Sequence, residues 1–89
     1  MVGNKVKEQE VFERVCRTAE KLLKTINRGT GSSLKRDTHI YSDLGIDSVE
    51  VMDFLGFLEA EFKITLNVEN AADKQTLGAI ADFVMESLQ

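Results

Sequence analysis

Apolar residues recur every three or four positions in three stretches of the chain, and residues that start or stop helices separate them. In the first, Val11, Phe12, Val15, Ala19, Leu22, Leu23 and Ile26 share one face, which predicts an amphipathic helix over about residues 5–27. Glu10–Arg14, Glu13–Arg17 and Glu20–Lys24 have the favourable (i, i+4) order on its solvated side. "NRGTGSSLKRDTHIYS" then breaks the pattern with two glycines and five Ser/Thr residues. It reads as a long loop, tacked to the core by Leu34, Ile40 and Tyr41, that returns the chain for an antiparallel helix. A second helix runs from near Ser48 to about Phe62, with Val51, Leu55, Leu58 and Phe62 in line and Phe54 beside them. "KITLNVENAADKQ" holds at most one short helical turn, around residues 68–73. In "TLGAIADFVMESL", Thr76 is the expected N-cap, and Leu77, Ile80, Val84 and Leu88 face inward. No segment alternates with period two for long. The expectation is an all-α fold: a four-helix bundle of three main helices and one short one, with a long loop between helices 1 and 2.

Composition narrows the class. Eighty-nine residues suit a single domain spanning 1–89, with a modest core. There is no bilayer-length apolar run and no signal-peptide pattern, so a cytoplasmic protein away from membranes is expected. One cysteine, Cys16, excludes an internal disulfide and a zinc cluster, and reads as a half-buried small apolar residue. His39, without a second histidine, reads as a plain loop residue. Residues 1–36 hold nine of the eleven Lys/Arg and four of the fifteen Asp/Glu, leaving the remainder of the chain at −9. That acidic part repels nucleic acid and suits a basic protein surface.

"DLGIDSVEVMDFLGFLEAEF" concentrates the acid: six carboxylates and no Lys or Arg, with Ser48 where loop becomes helix. Asp47 and Glu50 have capping-box spacing, which would make Ser48 the first helical residue with its hydroxyl free. The positive end of the helix favours a phosphate on that hydroxyl. On this chemistry alone Ser48 is either a structural serine or a modified one. Val49, Met52 and Gly56 form a line well away from the core stripe, beside Glu50 and Asp53, which is the pattern of an acid-rimmed docking surface. Phe57 lies off the core centre, covered either by the long loop or by a partner.

With "KITL" after it, this stretch resembles the acyl carrier proteins: a D-L-G-x-D-S turn, then an acidic helix ending E-x-E-F-x-I. The resemblance covers almost the whole chain. It implies a non-catalytic carrier with 4′-phosphopantetheine, derived from coenzyme A, attached covalently at Ser48 and holding acyl groups as thioesters. It implies as partners a phosphopantetheinyl transferase and acyl-transferring and acyl-modifying enzymes with basic docking surfaces. Asp47, Val49, Glu50, Met52, Asp53, Gly56 and Glu59 match the family's partner-contacting face. A monomer is expected. Val49 after the serine, Gly56 in mid-helix and the missing proline in "ITLNVEN" depart from the family pattern. Fatty acid synthesis and a specialised acyl or polyketide pathway therefore both stay open, with an aminoacyl or peptidyl carrier as the alternative. Outside the family, the rivals are an unmodified helical adaptor and a calcium loop. An EF-hand counted from Asp43 fails twice, with Ser48 at position 6 and Phe54 at position 12.

Overall fold

The computed structural model describes residues 7–26 and 34–88. Four helices follow in order: α1 (Glu8–Thr25), α2 (Ser48–Phe62), α3 (Val68–Ala71) and α4 (Leu77–Leu88). The described residues contain no strand, only one isolated antiparallel bridge between His39 and Thr76. The fold is all-α. Helix α1 starts at Glu8, later than its pattern suggested; residues 5, 6 and 27 and the glycines of the loop lie outside the described residues.

Helix α1 packs against both α2 and α4. Its stripe of Val11, Val15, Ala19, Leu22 and Leu23 is buried, meeting Val51, Phe54, Leu55, Leu58 and Phe62 from α2 and Leu77, Ile80 and Val84 from α4 in one core. Burying an aliphatic side chain of this size is worth roughly 1.5–3 kcal/mol, so this shared seam dominates stability. Leu88 is half-buried at its edge.

The caps match their residues. Thr76 Oγ1 accepts the Ala79 N–H at 3.1 Å and opens α4, and the Asn67 side chain accepts from Glu69 N–H at the start of α3. Helix α2 ends on Lys63 in the left-handed region (φ 56°). None of the three expected (i, i+4) ion pairs of α1 closes among the described residues. Arg14 instead spans to α2, donating to the Glu61 carboxylate and to the Glu61 carbonyl, both at 2.9 Å, with its guanidinium 4.3 Å from the Phe62 ring centroid. One planar fork thus meets a carboxylate and an orphan helix-end carbonyl together, which Glu10 cannot offer it.

The loop into α2 is stapled to the linker before α4. Ile40 N–H donates to the Gln75 carbonyl, and Leu77 N–H to the Thr38 carbonyl. Gly78 N–H donates to the Arg36 carbonyl at 2.8 Å; a Cβ on Gly78 would stand 2.8 Å from that oxygen and 3.0 Å from the Arg36 Cβ. Only glycine admits so close a crossing. Arg36 then reaches Asp82 at 2.8 Å and Glu8 at 3.9 Å, tying the loop to α4 and α1. Ile40 is fully buried, with Leu34 and Tyr41 packed partly against the core.

Candidate functional site

The approach to α2 is wound around His39. The Asp43 and Leu44 N–H groups both donate to the His39 carbonyl, and the Asp43 carboxylate accepts the His39 N–H at 2.7 Å. The His39 ring accepts the Ser42 N–H at Nδ1 (3.1 Å), which leaves the proton on Nε2, facing the Gln75 Oε1 at 3.1 Å. The plain loop residue of the sequence reading therefore braces the turn that leads to Ser48. Gly45 takes a left-handed conformation (φ 70°), and Ile46 drops into the core. Asp47 is left at the helix threshold.

There the capping box closes in both directions. The Asp47 carboxylate accepts the Glu50 N–H at 2.8 Å, and the Glu50 carboxylate accepts the Asp47 N–H at 3.0 Å. With Asp47 as cap, Ser48 is the first helical residue. Its side chain is exposed, and no hydrogen bond among the described residues takes up its hydroxyl. The Ser48 and Val49 N–H groups likewise have no acceptor among the described residues, so donors and dipole face outward where the hydroxyl stands.

Around Ser48 the surface is apolar and acidic. Val49 is 68% exposed and Met52 55%, and Asp47, Asp53 and Gly56 are exposed beside them. From Asp37 to Phe62 the chain has no Lys or Arg. Two residues of the expected face also work inside the chain. Glu50 is half-buried in the capping box, and the half-buried Glu59 accepts the Leu66 N–H at 2.8 Å, holding the segment that follows α2. Sequence reasoning missed Val68 of α3, a third large apolar side chain in the open at 46%. A four-residue helix has no periodicity from which to assign its outward face. Phe57 is half-buried against the core, with Lys21 Nζ of α1 5.7 Å from its ring centroid; residues 27–33 of the loop expected to cover it lie outside the described residues. Among the described residues no three His, Cys, Asp or Glu side chains gather as metal ligands, and no helix is long and apolar enough to cross a membrane.

A hydroxyl left free at the head of a capped helix fits a phosphodiester. The family model described as "Phosphopantetheine attachment site" matches residues 13–84. The chain belongs to that family. It is a carrier protein, not an enzyme, and its fold provides an attachment site for 4′-phosphopantetheine. Among curated proteins, this carrier is 34% identical to an acyl carrier protein of an Exiguobacterium species, over 92% of this chain and 98% of the relative. It is 33% identical to that of Exiguobacterium sibiricum, over 88% of this chain and 92% of the relative. Against the acyl carrier protein of Trieres chinensis identity is 28%, over 84% and 89%. No solved structure gives a significant match. A carrier of this family works with a phosphopantetheinyl transferase and with acyl-handling enzymes.

Proposed function

We propose that Ser48 carries the 4′-phosphopantetheine and that the chain, as a single cytoplasmic domain, presents acyl groups to successive enzymes of fatty acid or specialised acyl or polyketide synthesis. The observation that carries this reading is the closed capping box: Asp47 satisfies the helix end, so the hydroxyl of Ser48 is free to be modified. When attached, the group supplies a terminal thiol on which an acyl chain rides as a thioester. The protein's own residues anchor it and recruit enzymes. The exposed N–H groups and helix dipole at Ser48 favour the phosphodiester's negative charge. Asp47 and Asp53 are exposed, and α2 has no Lys or Arg to offset them, so they draw basic surfaces toward that end. Val49 and Met52 give those surfaces an apolar footing, and Gly56 leaves room beside them. Glu50 and Glu59 contribute charge while holding the helix start and the segment beyond its end.

The test is intact mass after incubation with coenzyme A, Mg²⁺ and a broad-specificity transferase. One phosphopantetheinyl group should be gained. Ser48→Ala should gain none while keeping its helical spectrum, since Asp47 still caps α2. Modification that persists in Ser48→Ala, at Ser42 or Ser87 for instance, would refute the assignment.

A further inference from the structure

The seam between α1 and α2 holds a groove of about 200 Å³, lined by Thr18, Lys21, Phe57, Ala60 and Glu61. Phe57 packs on the core below, and Lys21 Nζ stands 5.7 Å from its ring centroid. Glu61 is already paired with Arg14 at 2.9 Å, so the groove's acid is neutralised from within the chain.

One wall of this groove is low. Ala60 is exposed, and four residues earlier on the same face stands Gly56, where an added Cβ would meet nothing within 4 Å. A glycine inside a helix is unfavourable against alanine. At Gly78 that penalty has an internal cause, since the Arg36 backbone occupies the space. At Gly56 nothing among the described residues comes within 4 Å of that space. Four residues before Gly56 on that face stands Met52, which with Val49 makes the exposed apolar strip.

The charge around the gap selects the occupant. Asp47 and Asp53 are exposed, and the chain from Asp37 to Phe62 has no Lys or Arg, so the complementary surface is positively charged. At 1.5 Å per residue, Gly56 lies about 12 Å and Ala60 about 18 Å along α2 from Ser48. An ordinary interface, about 800 Å² per partner or roughly 30 Å across, covers both. Enzymes that use the far end of the arm can dock elsewhere. The transferase cannot, because its active site must reach the Ser48 hydroxyl itself.

We propose that a bulky aliphatic or aromatic side chain, set in the basic docking surface of the phosphopantetheinyl transferase, passes over Gly56 and seats on Phe57 in the α1–α2 groove. This rests on Ser48 being the attachment site. The groove is a specificity anchor, separate from the charges that bring the partner in.

The experiment measures KM and kcat for the apo protein with a broad-specificity transferase, coenzyme A and Mg²⁺, at low and high salt. Gly56→Leu and Ala60→Leu, both at exposed positions, fill the entrance. Each should raise KM about tenfold, the equivalent of about 1.4 kcal/mol, with kcat close to that of the parent. Because the lost contact is apolar, the effect should persist at high salt, where lost charges are screened. Melting curves establish that both variants stay folded, and the smaller Gly56→Ala should give an intermediate KM with a raised Tm. A KM within twofold of the parent for both leucine variants overturns the proposal. A parent chain that gains no mass, or a Ser48→Ala chain that does, overturns the Ser48 reading instead.

Discussion

Replacing Asp47 by alanine should slow modification of Ser48 more than it destabilises the protein. The native carboxylate accepts the Glu50 N–H at 2.8 Å, and the return bond from the Asp47 N–H to Glu50 survives in alanine because it uses the backbone. Losing an aspartate cap costs about 1 kcal/mol. Serine caps about as well as aspartate, and Ser48 is the next residue. The helix can therefore restart one residue later, with the Ser48 hydroxyl accepting a backbone N–H, and the net loss should be about 1 kcal/mol or less. That hydroxyl must then be released before it can react. Giving up a hydrogen bond worth about 1 kcal/mol slows transfer about fivefold. Asp47→Asn keeps the cap acceptor and loses only the charge, so it separates the two effects. The assay follows phosphopantetheine incorporation by intact mass at about 0.5 M salt, where exposed charges are largely screened, with urea melts in parallel. Asp47→Ala should run about fivefold slower than Asp47→Asn. Equal rates would refute the argument that the cap is what keeps Ser48 available.

Asp53 is exposed and makes no ion pair among the described residues, so Asp53→Lys should change stability by no more than about 0.5 kcal/mol. Stopped-flow association with the transferase should be slower at low salt and converge with the parent as salt rises; identical low-salt rates would sink the steering argument. Glu50 does not serve for this test, because it is half of the capping box. Gly78→Ala drives a Cβ to 2.8 Å from the Arg36 carbonyl oxygen and should cost about 1–3 kcal/mol in urea. Gly56→Ala, with open space around it, should gain about 1 kcal/mol. The Cys16 thiol is pushed up from 9.0 to about 11 by burial and then by Glu20 and Glu13, against Arg17. The unfolded chain therefore releases this proton first, and the stability contributed below pH 9.0 is lost as pH rises toward about 11. Urea melts across that window should show a decline in the parent that Cys16→Ala lacks.

The three long helices were legible because each buries one face, and burial imposes a 3.6-residue period that no tertiary detail erases. The cap at Asp47 was legible too, since a capping box is a local device confined to four residues. What escaped the sequence depends on crossings. Arg14 has an acid at the right spacing on its own helix and turns instead to the end of α2, 47 residues on. His39 bonds locally to Ser42 and Asp43, but the Gln75 side chain that meets its other ring nitrogen lies 36 residues away. Glu59 looks like surface acid until Leu66 folds back onto it. The outward face of α2 at Val49, Met52 and Gly56 follows from angular position alone. The groove at Phe57 required knowing which helix covers that ring.

The position of α1 between its two partners bears on how the chain is made. Its apolar stripe is completed by α2 and by α4, and α4 ends at Leu88, 63 residues after α1 ends at Thr25. At about 5–20 residues per second, a ribosome needs about 3–13 s to make that stretch. For that interval α1 holds a greasy face without the cover that α4 supplies. A chain stopped short of α4 would keep Ser48 and its cap yet lose the side of the core against which α1 closes. Nascent chains should therefore gain protease resistance late and in one step, when α4 clears the exit tunnel.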